Sequence, residues 1–175
     1  KGLDFPRLRF AGLVLADVGF NLPDFRATER SFQLLTQMIG RAGRHATASQ
    51  RPSIVVVQTY NPDHPSLTFS SQGQYKEFAE FELGHRSELG YPPYCRLAVI
   101  RVQGVDRDRV WRSSSIIREW VWNVARSKGD TLEVLGPADA PMARLRRKYR
   151  VHMLVKSQQP QILQWLSREI LARLK

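Results

Sequence analysis

Apolar residues along this chain fall into short runs and into stripes at helical spacing. Phe10 to Ala16 (FAGLVLA) is a run of seven bounded by polar residues, which predicts a buried strand. Asp17 to Phe25 (DVGFNLPDF) carries Gly, Asn and Pro-Asp and reads as a loop. A helix is predicted from Ala27-Thr28-Glu29, with Phe32, Leu35, Met38 and Ile39 on one face and Gly40 and Gly43 ending it. Residues 45–53 are polar and turn-rich, a surface loop. Ile54 to Thr59 (IVVVQT) is β-branched and apolar, a second buried strand closed by Asn61-Pro62. This order fits part of a parallel α/β sheet. Gln74 to Leu89 is predicted helical, with Tyr75, Phe78, Phe81 and Leu83 as an apolar stripe whose simplest use is core packing. Gly90-Tyr91-Pro92-Pro93 then breaks the chain and sets a domain boundary near residue 90.

The second half has a different rhythm. Leu97 to Val102 is a predicted strand, and Asp106 or Asp108 caps a long helix carrying Val110, Ile117, Val121 and Val124. Leu132 to Leu135 is a strand, Gly136-Pro137 to Pro141 a loop, and Arg150 to Val155 another strand. Residues 160–174 close with a helix that has Pro160 in its first turn and Ile162, Leu166, Ile170 and Leu174 as its stripe. The order β-α-β-β-α predicts a small α+β sandwich. One more strand would normally follow, so the domain is expected to lack its final strand. The expected fold is a parallel α/β sheet fragment over residues 1–90 followed by a basic α+β domain over residues 91–175.

Charge sharpens this division. The net charge is +11, but residues 1–90 hold 10 Lys/Arg against 9 Asp/Glu, while residues 91–175 hold 17 against 7. Such asymmetry points to a polyanion-binding surface in the second half, nucleic acid being the commonest such partner. The plain alternative is a basic surface that keeps the chain soluble. Cys95 is the single cysteine, so no internal disulfide or cysteine-based metal site is expected. The four histidines (His45, His64, His85, His152) show no metal-ligand spacing. No run of eighteen apolar residues and no signal-peptide pattern is present, which predicts a cytoplasmic protein without a membrane partner.

The candidate chemistry lies in Gln37-Met38-Ile39-Gly40-Arg41-Ala42-Gly43-Arg44. Phosphoryl transfer spreads negative charge over phosphate oxygens, and guanidinium groups supply fixed donors for it. Arg41 and Arg44 lie on one side of a helical turn and can address one phosphate. Gln37 precedes Arg41 by one turn on the same face. Glycines allow close backbone approach. A helix C-terminus with arginines complementing its dipole would give the same letters.

The octet resembles the last conserved motif of superfamily-2 helicases, Q-x-x-G-R-x-G-R. Lys1-Gly2-x-Asp4-Phe5-Pro6 resembles the motif before it, which couples nucleotide to nucleic acid. Adding Pro23-Asp24-Phe25-Arg26-Ala27-x-Glu29-Arg30, Gln58-Thr59-Tyr60-Asn61-Pro62-x-His64 and Leu89-Gly90-Tyr91-Pro92-Pro93, residues 1–97 look like the PriA family of primosomal replication-restart helicases. Beyond residue 97 the likeness rests on element order and on the basic run 144–151. The resemblance implies an ATP-hydrolysing 3′-to-5′ DNA helicase that acts with Mg2+ in replication restart and primosome assembly. Position by position, it makes Arg41 and Arg44 arginine fingers and Gln37, with Gly40, a nucleotide-sensing element. Gly2 and Asp4 become part of the coupling motif. It implies the second motor lobe for residues 1–90. Its partners would be single-stranded or forked DNA, the acidic tail of single-strand-binding protein and other primosome proteins. The chain holds no G-x-x-x-x-G-K-[ST] phosphate loop, no Asp-Glu magnesium motif and none of the family's zinc cysteines. Alone it is therefore expected not to hydrolyse ATP, and zinc is expected elsewhere in the parent protein. The competing reading is a freestanding basic nucleic-acid-binding module without a catalytic role.

Arg144, Arg146, Arg147, Lys148 and Arg150 place five cations around Tyr149. Spaced cations suit a phosphate backbone, and an aromatic ring gives a base a stacking surface. If residues 146–152 are extended, Arg146, Lys148 and Arg150 share one face and Arg147 and Tyr149 the other. A solvated hairpin is the alternative. Trp120 and Trp165 are expected in the core, and Trp111 and Trp122 in an exposed protein-binding patch.

Overall fold

A computed structural model describes residues 8–43, 52–127 and 132–173. The chain divides into two compact units, Lys1–His85 and Arg86–Lys175.

In the first unit, β1 (Phe10–Leu13) and β2 (Ile54–Val57) pair in parallel, Phe10 opposite Ile54 and Leu13 opposite Val57. Between them run α1 (Asp17–Phe20) and α2 (Ala27–Gly43); α3 (Pro65–Ser71) and α4 (Tyr75–Glu88) follow. The expected loop 17–25 thus contains a short helix, whose Phe20 joins Ala16 and Leu35 in a small core. Asp24 sets the start of α2 by accepting the Arg26 amide at 3.0 Å and the Arg30 guanidinium at 2.7 Å. Gly40 does not end α2: the helix continues through it to Gly43. Phe32 and Leu35 are buried as predicted, whereas Met38 is half-buried and Ile39 exposed.

The sequence does not announce α3. His64 caps it, its Nδ1 accepting the Ser66 amide at 3.2 Å, and Pro65 opens it. Fully buried Ser66 ties it to α2 by donating to the Thr28 carbonyl at 2.7 Å. In the stripe of α4 only Phe78 is buried, stacked on Phe32 at 3.9 Å, while Phe69 of α3 fills the space beside it. The two strands are not buried on both faces as expected. Their residues alternate between exposed and half-buried, because helices cover one face of this two-stranded sheet only.

In the second unit, β3 (Arg96–Gly104), β5 (Lys148–Ser157) and β4 (Glu133–Leu145) form an antiparallel sheet in the order β3-β5-β4. Helices α5 (Arg107–Ser127) and α6 (Pro160–Arg173) cover one face of it. This gives the predicted β-α-β-β-α order. Their shared core holds Val121, Ala125, Val134, Val155, Leu163 and Leu166. Asp106 caps α5, accepting the Arg109 amide at 3.1 Å. Trp120 and Trp165 pack on this core, 6.4 Å apart; Trp122 is exposed beneath the Arg118 guanidinium, and Trp111 is half-buried.

The predicted loop 136–141 is instead part of β4, which carries register shifts between Leu135 and Ala138 and between Asp139 and Arg144. Bulges let a strand keep pairing through residues that would break a regular ladder. Gly136 makes this possible: at φ +97 its absent side chain would lie 2.9 Å from the His152 carbonyl oxygen.

The Gly90-Tyr91-Pro92-Pro93 break is a built joint. Gly90 at φ +58 ends α4, its amide donating to Ser87 and the Tyr91 amide to Arg86. Buried Lys156 of β5 then holds the segment, its Nζ donating to the Leu89 carbonyl at 2.9 Å and lying 4.3 Å from the centre of the Tyr91 ring. The Cys95 thiol donates to the Gly90 carbonyl at 2.8 Å. Burial pushes its pKa up, which disfavours the reactive thiolate.

Candidate nucleotide and nucleic-acid surfaces

Two sets of candidate residues lie in the two units. In the first unit, Gln37, Gly40 and Arg41 are all on the exposed side of α2, while Leu35 and Ala42 face its core. The i, i+4 relation of Gln37 and Arg41 stacks them one turn apart. A Cβ at Gly40 would meet nothing within 4 Å, so packing inside the chain does not require glycine there. This exposed face presents the cation of Arg41 beside the backbone at Gly40, which is compatible with an anionic ligand such as a nucleoside triphosphate. Arg44, Gly2 and Asp4 lie outside the described residues.

At the ends of the parallel strands, Asp17 accepts from the Thr59 hydroxyl at 3.1 Å and from the Tyr60 amide at 3.1 and 3.2 Å through its two oxygens. Desolvation raises its pKa, but these hydrogen bonds outweigh that and hold it below the ordinary carboxylate value. His64 stacks on Phe20 at 4.0 Å. Burial lowers its pKa, and the nearby Asp17 charge opposes this only in part. The motif residues Gln58 to His64 thus act as a clasp that fixes the end of β2. Among the described residues no group of three His, Cys, Asp or Glu is placed to hold a metal ion. No described helix is long and apolar enough to cross a membrane.

In the second unit the basic run forms the β4–β5 hairpin. Leu145 pairs with Lys148, and Arg146 and Arg147 form the two-residue turn between them. Of the two readings of this run, extension and a hairpin, the hairpin holds at Arg146 and Arg147, and extension begins at Lys148. Lys148 and Arg150 still share a face, but Arg146 and Arg147 project from the turn. Both have positive φ, 50° and 63°, the conformation of a type I′ turn that favours Asn-Gly. Holding two arginines there costs about 1 kcal/mol each, a strain that concentrates at functional sites. The Arg144 guanidinium covers the Tyr149 ring at 5.2 Å, so that face of the ring is occupied. The Nε of Arg150 is buried without a hydrogen-bond partner among the described residues.

Residues 87–175 match the family described as primosomal protein N C-terminal domain. Over all 175 residues the chain is 37% identical to replication restart protein PriA of Bacillus subtilis, covering 21% of that protein. It is 38% identical over 156 residues, 89% of the chain, to the Synechocystis protein of that name, covering 18% of it. With the Treponema pallidum protein it shares 33% over 171 residues, 98% of the chain and 25% of that protein. The chain thus spans about a fifth to a quarter of these relatives' length. By both its family match and its relatives, the chain belongs to the PriA family of replication restart proteins and carries that family's C-terminal domain.

Proposed function

We propose that this chain is the C-terminal part of an ATP-dependent 3′-to-5′ DNA helicase that acts in replication restart and primosome assembly. In this reading the first unit belongs to the second motor lobe and the second unit is a DNA-binding domain. One observation carries the catalytic part: Gln37 and Arg41 stand one turn apart on the exposed side of α2, beside a glycine that internal packing does not require. The Arg41 guanidinium donates N–H groups to γ-phosphate oxygens, and Arg44, three residues on, supplies the second set. Gln37 orients toward the nucleotide. ATP with Mg2+, when bound, supplies the phosphoryl group and neutralises part of its charge. The phosphate loop and magnesium-holding acids belong to the parent enzyme outside these residues, as does its zinc, and the chain alone turns over no ATP. Strained Arg146 and Arg147, with Arg144, Lys148, Tyr149 and Arg150, contact single-stranded or forked DNA. The acidic tail of single-strand-binding protein and other primosome proteins are its protein partners.

The test is ATP turnover by the full-length protein that contains this chain. Arg41→Ala is expected to lower kcat by about a thousandfold, the scale of an arginine finger, with DNA affinity in the absence of nucleotide unchanged. Undiminished turnover in Arg41→Ala would remove the arginine finger from this helix.

A further inference from the structure

The face of the antiparallel sheet turned away from α5 and α6 carries an ordered pattern. Strand alternation places Val99, Arg101 and Gln103 of β3 there, because Ala98 and Ile100 pack toward the helices. On β5 the same face takes Arg150, His152 and Leu154, since Val151, Met153 and Val155 are the fully buried set. Register aligns these into rows. Gln103 lies opposite Arg150, and Arg101 opposite His152 with Ala138 beyond it. Val99, Leu154 and Leu135 form the next row.

Two features of this face need an explanation. Its upper rows place Arg101 and Arg150 one step apart, directly below the cationic hairpin. Among the described residues the nearest carboxylate on the face, Glu133, stands beyond the apolar row and is paired with Lys156 at 3.1 Å. Asp139 is engaged on Arg107 of α5 instead, at 3.5 Å. Neighbouring like charges on a sheet are destabilising unless an anion separates them. The second feature is the aliphatic row itself, with Val99 53% and Leu135 37% exposed.

We propose that this face is a track for single-stranded DNA. The backbone runs from the Arg146-Arg147 turn over Lys148 and Arg150 to Arg101, and unpaired bases lie on the Val99–Leu154–Leu135 row. Cations on one face of a strand recur every ~6.6 Å, twice the rise per residue, which suits the phosphates of an extended single strand. A duplex would offer its phosphates but no base faces, and would leave the aliphatic row unused. The one aromatic ring among these face residues is the His152 imidazole, and contacts of this kind to backbone and base faces follow strand form and not base sequence. The proposal extends the reading of the hairpin as a DNA-binding element and rests on it only for the upper end of the track.

The experiment is fluorescence anisotropy of the 175-residue chain with labelled oligothymidylate across a salt series. Arg101→Gln with His152→Gln is expected to weaken binding about tenfold at low salt and to make the salt dependence shallower by about one counterion. Val99→Thr with Leu135→Thr is expected to weaken the single strand while leaving a duplex competitor unaffected. Wild-type affinity in both face variants, with unchanged thermal midpoints, would overturn the track. If Arg146→Asn with Arg147→Gly alone weakens binding, the hairpin reading stands and the track fails. If the face variants alone weaken it, the hairpin reading fails and the track stands. Should a variant not fold, arginine modification by phenylglyoxal in the unaltered chain decides: Arg101 protected by the oligonucleotide supports the track, and unprotected Arg101 sinks it.

Discussion

His64 is held by a cap hydrogen bond and a ring stack, and the cap together with burial favours its neutral ring. Its Nδ1 accepts the Ser66 amide that starts α3, which a proton on that nitrogen would prevent. Its ring is stacked on Phe20, and burial lowers its pKa from the ordinary 6.5. The sign follows directly. Below pH 6.5 the unfolded imidazole takes up a proton that the folded one refuses, so stability falls as the pH drops. Asp17 adds to this at lower pH. Its folded pKa lies below 3.8, so its contribution is complete above that value and is lost as the pH falls through the folded pKa. Thermal midpoints followed from about pH 7 to about pH 5 should therefore decline. His64→Asn keeps a capping side chain without a titrating group and should flatten that decline. An equally steep decline in the variant would place the acid sensitivity elsewhere. The motif Gln58-to-His64 was visible in the sequence, but its clasp was not, because Asp17 reaches it from 42 residues upstream.

At the scale of elements, the segment that leads into β3 is held in part by one buried cation. Lys156 is buried on β5, and its Nζ is the donor that reaches the Leu89 carbonyl. Its ion pair with half-exposed Glu133 contributes little, since water competes for that carboxylate. The loss on Lys156→Met should therefore come mainly from the stranded carbonyl and the vacated Tyr91 face. It should be about 2–3 kcal/mol, with Lys156→Arg restoring part of it. Urea denaturation measures this, and a change below about 0.5 kcal/mol would show the contact to be incidental. The same region shows what a sequence reveals and what it hides. Gly90 and two prolines announce a break, because φ above zero and missing amides are local properties. Lys156 looks like any strand lysine, because its partner is 67 residues away. The β4–β5 hairpin fails in the opposite sense. Gly136-Pro137 reads as a loop, and the letters around Arg146-Arg147 leave extension and a hairpin both open, since bulges and a strained turn go against residue preference. Helices α2, α5 and α6 were legible because their stripes repeat at 3.6 residues. Even so, Ser114 sits fully buried on α5, its hydroxyl donating to the Val110 carbonyl at 2.8 Å.

At the scale of the whole chain, the two units differ in the surface each leaves open. The second has the basic excess, and long-range repulsion between such surfaces favours separate molecules at low salt. The first has little net charge but an uncovered row on its parallel sheet, with Phe10, Ile54 and Val56 on one face, 61%, 57% and 48% exposed. Aliphatic and aromatic side chains in such a row gain by being covered, at roughly 25 cal/mol per Å2. The two tendencies respond oppositely to salt. Raising ionic strength screens the basic surfaces and leaves the apolar row as attractive as before. Sedimentation velocity of this chain should therefore show self-association that grows with protein concentration and with salt. Ile54→Thr with Val56→Thr keeps β-branching in β2 while making the row polar, and should return the chain toward monomer. Association that weakens as salt rises would mean that charge, not this row, brings copies together. Association unchanged in the double variant would clear the parallel sheet of any part in it.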